Sequence, residues 1–207
     1  MPTAGSGGTV LDIGCANGYL ASILAERGYT VTGVEREGGF DPAQFPQNVQ
    51  LVCADLERGL PPLQSRFQYV ICADILEHLH DPERLLRQIQ EVLAPGGVVI
   101  ASLPNSGNFW FRGNVLFGRF PQDDKGLFDR THVRFFMWNG WKELFRAAGY
   151  EISQVDPTTV PVGLMVPPAL EHSPPVLAAE SVFYGLARIW KEMFAYQFVV
   201  HARPTAL

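Results

Sequence analysis

Near the start of the chain, the apolar run Val10-Leu11-Asp12-Ile13 stops at Gly14-Cys15-Ala16-Asn17-Gly18. An amphipathic stretch follows, with Leu20, Ile23 and Leu24 on one side and Gly28 as its stop. A second apolar run, Thr30 to Val34, then closes on Glu35. Strand, glycine turn, helix and a second strand ending in a carboxylate make a βαβ unit of the nucleotide-binding kind. Two parallel strands joined in this way need a covered sheet, which commits the chain to an α/β architecture.

The turn itself narrows the ligand. Gly14 and Gly18 let the backbone bend sharply and approach a bound molecule where a side chain would collide. The helix beginning near Asn17 aims its amide N–H groups at that molecule. Ala16 stands where a dinucleotide fingerprint has glycine, which argues against NAD or FAD. Asp12 beside the turn repels a phosphate and suits a cationic ligand carrying an ammonium and a sulfonium. Glu35 fits the two hydroxyls of a ribose. The alternative is a tight β-α turn with a surface acid.

The remaining elements alternate in the same way. Strands are expected at 49–53, 68–73, 98–103, 150–155 and 196–201. Asp41-Pro42 reads as a short helix or turn. Asp81, Pro82 and Glu83 form a helix start, with Leu85, Leu86, Ile89, Val92 and Leu93 as its apolar face and Gly96-Gly97 as its end. Further helices are expected over about 138–148 and 179–193. Two segments break the rhythm: an aromatic loop over about 104–137 and a proline-rich loop over about 157–175. Both leave strand ends on the ligand-binding face of such a sheet, where long loops serve as lids or pocket walls. The alternative is that the aromatic residues fill a satellite core.

Four segments in order carry a family resemblance. Val10 to Tyr19 with Glu35 is similar to motif I and its downstream acid in the class I S-adenosylmethionine-dependent methyltransferases. Val52-Cys53-Ala54-Asp55-Leu56 resembles that family's third-strand segment. Phe67 to Leu79 resembles its fourth strand and following loop, and Leu93-Ala94-Pro95-Gly96-Gly97-Val98 its turn into the fifth strand. The likeness runs from about Thr9 to Val155. It implies a Rossmann-like α/β fold with a mostly parallel seven-stranded sheet, an antiparallel pair at the edge and helices on both faces.

The resemblance also implies roles. S-adenosylmethionine would be the cofactor. Asp12, Gly14, Cys15 and Gly18 would line its methionine end, Glu35 would hold the ribose with Arg36 beside the adenine, and Ala54, Asp55 and Leu56 would frame the adenine. Asp74, Ile75 and Leu76 would pass beneath the sulfonium. For Asp55 and Asp74, local turn capping is the other reading. His78 and His132 are the candidate bases for an acceptor hydroxyl; each reads equally as a structural histidine. The run Asp129-Arg130-Thr131-His132-Val133-Arg134-Phe135-Phe136 resembles a segment found in a subset of bacterial small-molecule methyltransferases. Arg130 and Arg134 are candidates for an acidic acceptor group. No metal ligand is assigned. Asp74, Glu77 and His78 with His132 are nevertheless laid out like the divalent-ion site of methyltransferases acting on the terminal ribose of small RNAs.

Composition bounds the rest. The 207 residues, 47% hydrophobic and 18% charged, read as one globular domain over 1–207. A net charge of −5 argues against nucleic acid as partner. Cys15, Cys53 and Cys72 lack metal-ligand spacing and read as small packing residues of a reducing compartment. With no signal peptide or membrane-spanning run, a cytoplasmic location is expected. The expected function is methylation, at oxygen or nitrogen, of a small and partly apolar acceptor. The chain is also similar to a non-catalytic methionine-biosynthesis accessory family of the same fold, which works through a partner enzyme. Met1 to Gly8 is too short for the N-terminal helices that usually cover the cofactor in this family. The aromatic loop, a second subunit or a longer chain would have to do so.

Overall fold

The computed structural model describes residues 7–41, 45–46 and 48–205. The short helix or turn read from Asp41-Pro42 falls largely on residues 42–44, outside the described residues. Seven strands form one sheet: β1 Thr9–Ile13, β2 Thr30–Glu35, β3 Val49–Cys53, β4 Phe67–Ala73, β5 Leu93–Pro104, β6 Tyr150–Pro157 and β7 Gln197–Pro204. Their spatial order is β3-β2-β1-β4-β5-β7-β6. The β1, β2, β3, β4 and β5 neighbours pair in parallel, and β7 runs antiparallel to both β5 and β6. The expected antiparallel pair therefore lies at one edge, with β7 the inner strand of the two. The chain leaves β1 in one direction to build β2 and β3, then returns to β4 on β1's other side. That reversal places a crevice at the strand ends between β1 and β4.

Side chains alternate across the sheet and give it two cores. Leu11 and Ile13 belong to the larger one, with the helices α2 (Pro82–Val92) and α4 (Trp138–Ala147) over them. Val10, Val31 and Ile71 face the other side, where α1 (Tyr19–Glu26) contributes Ala21 and Leu24. The helix starting at Asp81 forms as its sequence dictates. Asp81 accepts the Arg84 N–H at 3.0 Å, Pro82 occupies the first turn, and Leu85, Leu86 and Ile89 are buried. Buried polar groups lock the layers: Trp141 Nε1 donates to the Pro104 carbonyl at 2.9 Å, and Tyr150 Oη to that of Leu86 at 2.9 Å.

Several boundaries differ from expectation. α2 stops at Val92 rather than at Gly96-Gly97, and β5 begins at once with Leu93. Pairing with β4 then skips from Phe67↔Leu93 to Tyr69↔Val98, so Ala94–Gly97 bulge from the ladder, with Gly96 at φ 75°. The aromatic loop contains a helix, α3 (Phe109–Leu116), capped by Asn108, whose side chain accepts the Trp110 N–H at 2.9 Å. The last expected helix breaks at Trp190 into α5 (Pro174–Ile189) and α6 (Lys191–Phe194). Cys15 and Cys72 are buried as expected of packing residues, whereas Cys53 is exposed.

Candidate functional site

The crevice at the ends of β1 to β4 is a cleft of about 430 Å³. Among the residues singled out from sequence, Gly14, Glu35, Arg36, Ala54, Asp55, Asp74, Ile75 and Leu56 all line it, as does His78. They arrive from four strand ends. Parallel register brings them level: Ile13 pairs with Val34 and with Cys72, and Glu35 with Cys53.

Asp12, Cys15, Gly18, Leu76 and His132 lie outside this lining. Cys15 is buried, its Sγ packed so close to Gly33 that a Cβ there would meet it at 2.7 Å. Burial, then the charges of Asp12 and Glu35, push its thiol up to about 12, so it is an inert packing group. Gly18 caps α1 at φ 76°, a conformation that favours glycine, and the Phe45 ring covers the space where its Cβ would stand. Leu76 is fully buried in the larger core. Asp12 sits one residue behind the turn, 2% exposed, and its Oδ2 has no partner among the described residues. Burial, and next the charge of Glu35, raise its pKa to about 6. A buried carboxyl with an unpartnered oxygen behind a glycine turn is suited to a cationic group arriving from the cleft.

Glu35 is already oriented. Its Oε2 accepts the Ala16 N–H and its Oε1 the Arg36 N–H, both at 2.9 Å, which clamps the carboxylate across the glycine turn. Remaining lone pairs on both oxygens are available to ligand hydroxyls. Asp74 occupies the left-handed region at φ 51°, rare for a non-glycine residue and a mark of functional sites. Its Oδ1 accepts from Ser102 Oγ and from Gln197 Nε2, each at 2.8 Å.

The turn after β4 meets the Asp129–Arg134 run. The Val133 and Arg134 N–H groups both donate to the Glu77 carbonyl at 3.1 Å. Arg134 also spends its guanidinium on the carbonyls of Leu79 and His80, and Arg130 pairs with Asp124. These two arginines thus have protein partners. The straps bring His132 against His78, with ring centroids 4.7 Å apart, and His132 Nε2 to 3.8 Å from Glu77 Oε1. His78 Nδ1 lies 3.1 Å from Thr131 Oγ1, which donates to Asp129 Oδ1 at 2.5 Å. Burial, and then the neighbouring His78, lower the His132 pKa, so its imidazole is neutral at neutral pH. Burial foremost raises that of Glu77 to about 8, and Glu77 Oε2 has no partner among the described residues. Ligand atoms of Glu77, His78 and His132 all lie within 4.8 Å of one another, a spacing that suits one metal ion.

Sequence reasoning did not assign Ala16, Glu57, Leu79 or Thr131 to the cleft, yet they line it. Thr131 lay inside the Asp129–Phe136 run, so a signal was present. Leu79 ends the segment likened to the fourth strand and its loop, Glu57 follows the third-strand segment by one residue, and only the fold shows that the wall extends to them.

A family model for a methyltransferase domain matches residues 1–155. The ubiquinone biosynthesis O-methyltransferase of Escherichia coli O7:K1 is 33% identical over 118 residues, covering 53% of this chain and 48% of that protein. The chain therefore matches about half the length of this curated relative. The fold is shared with an S-adenosylmethionine-dependent methyltransferase from Mesorhizobium loti, at TM-score 0.64 and 19% identity over 98% of this chain and 94% of that one. It is shared also with the 1,6-didemethyltoxoflavin-N1-methyltransferase of Burkholderia thailandensis, at TM-score 0.60 and 19% identity over 98% and 73%.

Proposed function

The chain belongs to the methyltransferase-domain family, and on that premise we propose that it transfers a methyl group from S-adenosylmethionine to the oxygen or nitrogen of a small, partly apolar molecule. The observation that carries this reading is the convergence of Gly14, Glu35, Asp55 and Asp74, each from a different strand end, on one cleft. When bound, S-adenosylmethionine would supply an activated methyl group, and the acceptor's proton would pass to a base of this chain. Glu35 holds the ribose, with Arg36 and Ala54-Asp55-Leu56 about the adenine. Asp12, behind Gly14, draws the amino-acid ammonium. Asp74 and Ile75 form the floor below the reacting centre. His132, neutral and beside His78, is the base that takes the proton from an acceptor hydroxyl. The three free cysteines agree with a reducing, cytoplasmic setting.

The test is calorimetric titration with S-adenosylhomocysteine. Saturable binding is expected, weakened by roughly 1–3 kcal/mol in Glu35→Ala, the cost of leaving ligand hydroxyls unpaired. A folded protein that ignores the compound at millimolar concentration would overturn the reading.

The Glu77, His78 and His132 group favours a second reading of the same centre. Two imidazoles and a carboxylate suit a divalent transition ion such as manganese. When bound, such an ion would supply a Lewis acid that lowers the pKa of an acceptor hydroxyl. The histidines would then be ligands rather than bases.

A further inference from the structure

A second hollow, of about 660 Å³, has Gln197, a hydrogen-bond partner of Asp74, in its wall. Its walls include Phe109 and Trp110 from α3, Phe183 from α5, Phe128 and Tyr196. The Phe109 and Phe183 rings stack with centroids 5.6 Å apart and planes 4° from parallel. Phe128 is held from behind by Phe111, 4.5 Å away and 9° from parallel. Val160, Pro161 and Val162 close the aliphatic side. The charged lining residues, Asp123 and Lys125, are exposed.

One hydrogen-bonded pair links the walls of the two hollows. Gln197 lines the second hollow and donates to Asp74, which lines the first. The phenol of Tyr196 lies next to Gln197 in the chain, and burial foremost raises its pKa above the ordinary tyrosine value. A molecule filling the second hollow therefore meets apolar, flat surfaces and, at Tyr196 and Gln197, hydrogen-bonding groups.

We propose that this hollow seats the methyl acceptor, and that the acceptor is a neutral hydroxyarene whose hydroxyl reaches the Asp74–Gln197 pair. The inference rests on the methyl-transfer reading and adds the acceptor's chemical class and its seat. Flat aromatic walls favour flat aromatic ligands through stacking and edge contacts. A sugar would leave several hydroxyls against apolar rings, and a carboxylate would be desolvated with no buried counter-ion among the lining residues. The volume falls within the ordinary range for small-molecule pockets.

The experiment is titration of the protein with 2-naphthol, followed by calorimetry and tryptophan fluorescence, beside glucose, cyclohexanol and 2-naphthoate. S-adenosylhomocysteine is titrated separately on the same samples. Saturable 2-naphthol binding with quenching is expected, tighter than for the other three compounds. Val160→Trp, which fills the hollow, and Phe183→Leu, which removes one aromatic wall, are each expected to weaken it about tenfold or more. Both are expected to leave the homocysteine product's affinity within about twofold. Two chemically different variants, checked by circular dichroism, guard against misfolding in either. Unchanged 2-naphthol affinity in both folded variants overturns the inference, as does tighter binding of glucose. Binding of the homocysteine product without 2-naphthol overturns this inference alone. Binding of 2-naphthol without the product overturns the methyl-transfer reading, and with it the acceptor role.

Discussion

Asp12 concentrates the tension of the site in a single side chain. It is buried, its Oδ2 has no partner among the described residues, and burial and Glu35 raise its pKa to about 6. An acid whose folded pKa lies above its unfolded value binds more protons folded than unfolded. The folded state is therefore penalised as pH rises from about 4 to about 6, and the penalty is complete above that window. From the two pKa values, ionisation costs the folded state about 3 kcal/mol at neutral pH. Asp12→Asn is thus expected to stabilise the ligand-free protein by up to about that amount at pH 7, and little at pH 4. It is expected also to weaken S-adenosylhomocysteine binding, because the charge facing the ammonium is gone. Denaturant unfolding at the two pH values, with calorimetry, measures both effects. An equal gain in stability at both pH values would show that desolvation of the charge is not the cause.

At the scale of elements, the segment around α3 shows how a helix is installed without an apolar stripe of its own. Its sequence, Phe-Trp-Phe-Arg-Gly-Asn-Val-Leu, is apolar on several sides and carries Gly113 in its middle, so no helical period stands out. Two fully buried asparagines hold it. Asn108 caps α3 through its Oδ1, and its Nδ2 donates to the Ala195 carbonyl at 2.9 Å. Asn105 donates to the same carbonyl at 2.9 Å. The start of α3, which lines the second hollow, is thereby tied to the end of α6. Asn108→Ala removes a cap and leaves a buried N–H without its acceptor. It is expected to cost about 2–3 kcal/mol in denaturant unfolding and to speed amide exchange at Arg112, whose N–H bonds Asn108's carbonyl. Exchange at Leu86 in α2 is expected to change only with global stability. The contrast with α2 is instructive. There Asp81-Pro82 announces the start and four apolar residues mark the face, so the element is legible from the chain alone, apart from its end at the β5 bulge.

Across the whole molecule, the Glu77, His78 and His132 group exists only because β4 and the segment after α3 are brought together by the fold. Ligands assembled by folding bind an ion in the native state and not in the unfolded one, so binding adds to global stability. If the group holds a divalent ion, manganese at a hundredfold its dissociation constant is expected to stabilise the protein by about 2.7 kcal/mol. Thermal unfolding with and without manganese reads this as an upward shift in Tm. Excess chelator is expected to reverse the shift, and Glu77→Gln and His132→Ala each to abolish it. No shift with manganese, magnesium or zinc at millimolar concentration would leave the histidines as bases or as structural groups. No helix among the described residues is long and apolar enough to cross a membrane.

What the chain settles by itself are the features written in local order. The βαβ start, the carboxylates at successive strand ends, the α2 cap and the parallel alternation each depend on neighbours within a few residues or on a fixed spacing. They carried the fold class and most of the cleft wall: Gly14, Glu35, Arg36, Ala54, Asp55, Leu56, Asp74, Ile75 and His78. Tertiary structure decided what depends on contacts between distant segments. It turned Cys15 and Leu76 into packing residues, since only the folded layers show which side of a turn faces the core. It spent Arg130 and Arg134 on protein partners and set His132 against Glu77. It also enclosed the second hollow with residues from five separate stretches of chain. Local sequence has no information on such distances, because they are set by how the layers pack.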